Sequence, residues 1–290
     1  IQFPRLSYLP FLLPRLYAFF SPFLISPSSF SDGWFSYEDV PLKWHYPVGL
    51  LHDLYSGDEP THAAGRGART KNDAEAEAGE GSDTQEDYSA LEAAERGPWK
   101  LVVHFSDWPH DQLVKLDEDG KVLEDAFKNS VKESSFLRHG TGKIVMSLSY
   151  QDSTQLWRGI EEQDLKLYNA VNNKLLSPPG ESIRHVPLRI YLPSEPTTAT
   201  STIEEDAPAA GHLKVVQALV EPTLPNKQPQ TLGTALNTIL PTVFLSRRNA
   251  ILAMAVLHGA VVPLTAVLEE LAKAASYADG FLHVVVVMMG

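Results

Sequence analysis

Between two segments that read mostly as strands, the chain carries a block of helical signals from Val122 to Leu176, and any fold must place that block between two sheet-forming flanks. Leu123, Phe127 and Val131 recur at every fourth position after Lys121, which lines one face of an α-helix. Gly140 is the expected stop. Lys132 falls off that face: it lies one helical step from Val131 and about 140° around from Phe127, so its amine should point to solvent or to a partner. A second helix is expected near Asp152, where Asp-Ser-Thr-Gln has the capping-box form ahead of Leu156, Trp157 and Ile160. A third runs through Leu165, Tyr168, Val171 and Leu175. Pro178-Pro179-Gly180 closes the block, because proline lacks the amide donor and restricts the residue before it.

The flanks alternate strands with short helices. On the N-terminal side, strands are expected at Gln2 to Leu9, Trp34 to Tyr37, Pro41 to Tyr46 and Trp99 to Phe105. Helices are expected at Phe11 to Phe23 and from Pro47 through Val48, Leu51 and Tyr55. On the C-terminal side, Val186 to Leu192 and Leu213 to Val220 read as strands, and Thr231 to Ile239 and Leu264 to Ala275 as helices. Ala250 to Leu257 is apolar, and Phe281 to Met288 is apolar on consecutive positions, as befits a strand covered on both faces in the middle of a sheet. Both flanks end on an apolar strand containing histidine, LVVHF and FLHVVVV, after a Pro-Leu and a short helix. That order outlines a β-grasp, in which a twisted sheet covers a helix. The fold class is therefore α+β, two ubiquitin-like domains flanking a helix-rich one, with boundaries at 1–108, 109–180 and 181–290.

A chain of 290 residues with 43% hydrophobic content has the material for such cores. Its net charge of −12 is unevenly spread. From Gly57 to Gly97 there are eleven acids and four bases, and from Glu195 to Gly211 four acids and no base, so −1 remains for everything else. The first stretch has almost no large apolar side chains and is expected to be a disordered insertion, the second a polar loop. The apolar run from Tyr8 to Ile25 is broken by Arg15, Pro10, Pro14 and Pro22 and is shorter than a membrane span, so it should be buried structure.

Cysteine is absent, which excludes disulfides, thiolate metal sites and cysteine nucleophiles. Neither a nucleophile elbow nor a phosphate-binding glycine loop is present, and the histidines lack metal-ligand spacing: His45 and His52 stand seven apart with a proline between them. Trp44 and Trp99, beside strand ends, read as core. Gly290 raises the alternative of a ubiquitin-like modifier or adaptor using its own terminal glycine, but it follows an apolar strand without the flexible tail that activation needs.

Several strings are more specific than any of these patterns: PRLSYLP at Pro4, PLKWHYPVGLLHDLY at Pro41, PWKLVVHF at Pro98, then NSVKESSFLRHG, DSTQLWRGI, VPLRIYLP, QTLGTAL and DGFLHVVVV. Together they resemble the autophagy protein 5 family of fungal type, over the whole chain. The resemblance implies the same three-part organisation, with a further helix and strand ahead of PRLSYLP, whereas the two acidic stretches are longer than the family usually carries. It implies a protein that is not an enzyme by itself and needs no cofactor or metal. A lysine of the middle domain accepts the C-terminal glycine of the ubiquitin-like autophagy protein 12, and in VKESSFLRH the matching residue is Lys132. Further implied partners are an amphipathic helix of the coiled-coil autophagy protein 16, held in a groove between the domains, the conjugating enzymes of two ubiquitin-like systems, and a membrane touched peripherally, with no nucleic acid. The conjugate would then promote transfer of autophagy protein 8 to phosphatidylethanolamine, in the cytoplasm and at the autophagosome precursor. Attack on a thioester needs a neutral amine, and a lysine amine is ordinarily protonated at neutral pH, so the conjugating enzyme must help remove the proton; this chain offers Glu133 and nearby polar groups.

Overall fold

A computed structural model describes residues 1–57, 60–62, 98–176, 183–193 and 213–289. The elements in chain order are α1 (Leu13–Phe20), β1 (Trp34–Tyr37), β2 (Val40–Pro41), α2 (Val48–Tyr55), β3 (Thr61–His62) and β4 (Val102–His104). The middle of the chain folds as α3 (Lys121–His139), α4 (Lys143–Met146), α5 (Tyr150–Glu161) and α6 (Leu165–Leu176). The last part comprises β5 (Val186–Pro193), β6 (Leu213–Val220), α7 (Leu232–Ile239), β7 (Ala253–Leu257), β8 (Ala260–Val261), α8 (Leu268–Ala274) and β9 (Leu282–Met288).

Two sheets result. The N-terminal one has the order β2-β1-β4, and the larger one β3-β8-β7-β9-β5-β6, in which β9 lies between antiparallel β7 and parallel β5. The consecutive apolar residues of β9 thus occupy the middle of the sheet, and all of Leu282 to Val286 is buried. Two ubiquitin-like domains flank a helical bundle. Their cores are not separate: Leu50 of α2 packs into the C-terminal core, while Tyr8 and Trp44 pack into the helical one.

Several boundaries differ from the pattern. Gln2 to Leu9 is not a strand. Its carbonyls are spent on the start of α2, with Gly49 donating to Arg5 O (2.7 Å) and Val48 to Ser7 O (2.8 Å), and Pro4 closes a turn with Ser7; only Tyr8 pairs, as a single bridge to Pro47. The strand expected at Pro41 to Tyr46 stops at Pro41, because Tyr46 turns back to donate to Lys43 O. The one at Trp99 to Phe105 keeps only β4. Helix α5 starts earlier than its motif suggests: Ser149 Oγ accepts from the Asp152 amide (3.0 Å), so serine is the cap and Asp152 lies in the first turn. Helix α8 begins at Leu268 rather than Leu264, and α4 carried no readable periodicity.

The Tyr8 to Ile25 run is only partly buried. Leu9 and Leu13 are core, whereas Phe19, Phe23 and Ile25 face solvent. Among the described residues no helix is long and apolar enough to cross a membrane. Of the acidic stretch from Gly57 to Gly97, residues 58–59 and 63–97 lie outside the described residues, as do the 195–211 loop, Pro178-Pro179-Gly180 and Gly290. Thr61–His62 pairs in parallel with Ala260–Val261, which ties that stretch's first residues to the C-terminal sheet.

Candidate functional site: the acceptor helix and the interdomain groove

Helix α3 is the axis on which the three parts meet. Leu123, Phe127 and Val131 are buried in the helical core, as their spacing requires. The next face turns to the C-terminal domain. Ser130 Oγ donates to Asp279 Oδ2 (2.8 Å), Ser134 Oγ to Asp279 O (2.6 Å) and Arg138 Nη2 to Gly280 O (3.1 Å). Gly140, at φ 70°, ends the helix in a left-handed turn that suits glycine, and its amide caps Phe136 O.

Lys132 stands on the opposite, exposed side of α3, and among the described residues its amine has no ion-pair or hydrogen-bond partner. Glu133 behaves differently. Its Oε2 accepts from Arg189 Nη2 of β5 (2.7 Å) and its Oε1 from Gln217 Nε2 of β6 (2.9 Å), while Arg189 Nε donates to Gln217 Oε1 (2.9 Å) and the guanidinium lies over the Phe281 ring at 3.7 Å. With both oxygens taken up, Glu133 is a clamp between α3 and the sheet, poorly placed to take a proton from its neighbour.

Beneath Ser130 runs a buried polar chain, from Asp279 to His283 Nε2 (3.0 Å) and from His283 Nδ1 to the Tyr191 hydroxyl (2.8 Å). Burial alone would raise the Asp279 carboxyl; His283, Ser130 and the Phe281 amide outweigh it and hold the group below its ordinary value. Arg138 is 1% exposed and has no carboxylate partner among the described residues, and burial pulls its guanidinium down to about 10.

On the far side of the bundle, all three parts line a groove of about 590 Å³. Leu6, Ile160, Leu165 and Leu176 give it an apolar floor, with Arg5 and Asn172 at hand. This explains why Leu165 is 64% exposed although it keeps helical spacing with Tyr168 and Val171: it faces the groove, not the core. Nothing in the sequence marked these residues as a set, since they come from a turn, two helices and the end of α8 and meet only in the fold. Among the described residues no cluster of three or more potential metal ligands occurs. Trp44 is core, its indole donating to Val114 O (2.7 Å), whereas Trp99 is half-buried.

A helical bundle between two ubiquitin-like domains defines a multidomain protein of the ubiquitin-like fold. Three family descriptions match in that order: "Autophagy protein ATG5, UblA domain" over residues 1–105, "alpha-helical bundle region" over 120–178 and "UblB domain" over 185–286. Curated relatives named Autophagy protein 5 include those of Phaeosphaeria nodorum, 50% identical over 100% of this chain and 87% of the relative, and Aspergillus terreus, 48% identical over the same shares. The crystal structure of Kluyveromyces marxianus Atg5 shares the fold at a TM-score of 0.67 with 20% identity, covering 98% of this chain and 85% of that one. The chain belongs to the autophagy protein 5 family, which places it in autophagy.

Proposed function

We propose that the protein is a non-catalytic scaffold that becomes covalently joined to the ubiquitin-like autophagy protein 12 through Lys132. In that step Lys132 Nζ attacks the carbonyl carbon of a glycyl thioester on the conjugating enzyme. A C–N amide bond forms, the C–S bond breaks, and the enzyme's thiol leaves with the proton given up by the amine. The groove at Leu6, Ile160 and Leu165 takes the apolar face of a helix from autophagy protein 16. The assembled conjugate promotes transfer of autophagy protein 8 to phosphatidylethanolamine, in the cytoplasm and in peripheral contact with the autophagosome precursor membrane. Residues 1–108, 109–180 and 181–290 act as its three domains.

The observation that carries this reading is the contrast on α3: the charged neighbours Lys128 and Glu133 are paired with Glu124 and Arg189, whereas the exposed Lys132 amine has no partner among the described residues, on a helix held to the C-terminal domain through Ser130, Arg138 and Glu133. Arginine keeps the charge and the helix but cannot form the bond. Lys132→Arg is therefore expected to abolish the higher-mass conjugate in a reconstituted reaction and to leave circular dichroism and helix binding unchanged, whereas Lys128→Arg and Lys143→Arg conjugate normally. Conjugate at the wild-type level in Lys132→Arg, or a glycine remnant found on another lysine, would overturn the assignment. A synthetic helix of the coiled-coil partner should bind the unconjugated chain, and Leu165→Asp should weaken it at least tenfold.

A further inference from the structure

A second cavity, of about 350 Å³, opens beside α3 where the three parts meet. Asn129, Ser130 and Glu133 line it from α3, Tyr8, His45 and Tyr46 from the N-terminal domain, and Arg189, Tyr191 and His283 from the C-terminal one. Its two carboxylates are already engaged, Glu133 by Arg189 and Asp279 by a hydrogen bond with His283. What is left over is neutral. Tyr8 is 2% exposed, and its hydroxyl has no hydrogen-bond partner among the described residues; the same holds for the His45 imidazole and the Asn129 carboxamide. Although the edge of the His45 ring is open, burial against its neighbours lowers its pKa to about 4, so it is uncharged at neutral pH.

A pocket whose free capacity is a phenol, a neutral imidazole and a carboxamide is made for peptide amides, not for phosphate or a metal ion. At 350 Å³ it stands at the lower end of ligand-sized sites, too small for a helix about 10 Å across and large enough for a short extended segment. Asn129 and Glu133 lie three residues before and one after Lys132, so the cavity's α3 wall lies within one helical turn of the acceptor's backbone, while the Lys132 side chain leaves the helix on another face and the tail must pass around it. Three extended residues span at most about 10 Å.

From these features we infer that the cavity seats the uncharged, extended tail of the modifier, the few residues just ahead of the glycine that bonds Lys132. Tyr8, Asn129 and His45 hydrogen-bond the tail's backbone and thereby set the position of the thioester against the amine; they are positioning residues and take no part in the chemistry. This rests on the Lys132 reading and adds a cause for selectivity: Lys128, though beside the cavity, is held in an ion pair with Glu124, and Lys143 lies away from the cavity's lining.

The test is single-turnover transfer to Lys132 from two thioesters, one bearing the modifier's last six residues and the other acetylglycine alone. Tyr8→Phe removes only the hydroxyl and Asn129→Ala shortens an exposed side chain, so both leave the fold in place. The double variant is expected to lower the rate constant for the six-residue thioester about tenfold, the loss of two neutral hydrogen bonds, and to leave the acetylglycine rate within twofold of wild type. An unchanged six-residue rate, or an equal fall for both thioesters, overturns the proposal while conjugation at Lys132 stands. Peptide found on another lysine in the wild-type chain overturns the Lys132 reading itself.

Discussion

Adjacent residues on α3 show how far a single position can be read. Lys132 stands out once the stripe Leu123, Phe127, Val131 is drawn, since a residue one step off a buried stripe has to face outward. Glu133 reads the same way, exposed and acidic, and for that reason looks available as a base. What the pattern cannot supply is Arg189 and Gln217, which arrive from strands 56 and 84 residues away. Glu133→Gln, which still hydrogen-bonds Gln217, is therefore expected to conjugate within twofold of wild type with an unaltered pH profile; a tenfold loss restored at high pH would show that the carboxylate does take the proton. Arg138 is the opposite case. It lies in the last turn of α3, where an arginine is ordinarily solvated, and is instead 1% exposed, with Nη1 unpaired. Since a buried, unpaired cation is costly, Arg138→Met should leave stability within about 1 kcal/mol of wild type. Arg138→Ala, which empties the space, should lose about 2–4 kcal/mol in urea unfolding.

Elements were legible where one surface dictates them and illegible where two do. Helices α3 and α7 follow their stripes closely, and α7 is started by a capping box between Thr231 and Thr234 that the apolar spacing did not announce. Less visible was the internal repeat, because its two copies differ in sequence while sharing geometry. Strand β2 starts at Val40 and β8 at Ala260, helix α2 at Val48 and α8 at Leu268, each pair 220 residues apart, and Pro47 and Val267 both make a single bridge just before their helix. The tight turns before β2 and β8 use left-handed residues in both copies, Glu38 and Asp39 in one, His258 and Gly259 in the other. Pairing of α5 with α6 depends on a position no pattern singles out. A Cβ on Gly159 would come within 2.6 Å of the Tyr168 amide nitrogen, and backbone cannot swing aside as a side chain can. Gly159→Ala should thus cost about 1–3 kcal/mol by urea denaturation despite alanine's higher helix propensity, and it should weaken helix binding in the adjoining groove, which Gly159 and Tyr168 both line. A gain in stability would mean the two helices can part without loss.

At the scale of the whole molecule, the three parts are joined by shared cores and by polar contacts centred on Asp279, with the His45 imidazole lining the cavity between them, so acid should act on the junction first. The two groups have separate windows. His45 is lowered to about 4, through burial first and then Lys43, Arg189 and His283; an unfolded chain takes up its proton near pH 6.5 while the folded one declines it, so stability falls as pH drops from about 6.5 to 4. His258, lowered mainly by burial, adds to the same slope. Asp279 is held below its ordinary value, so its contribution is complete above about pH 4 and is lost as pH falls further through the folded-state value. Urea midpoints measured from pH 7 to pH 3 should therefore decline in two stages. His45→Asn, which keeps a neutral polar group at the mouth of the cavity, is expected to flatten the upper stage and leave the lower one. Asp279→Asn gives up the contact with His283 and weakens those with Ser130 and the Phe281 amide, so it should cost about 1–3 kcal/mol already at pH 7 and then show a shallower fall below pH 4. If both variants kept the wild-type pH dependence, the acid sensitivity would have to originate away from the junction, and the joint between the domains would owe its strength to the apolar cores alone.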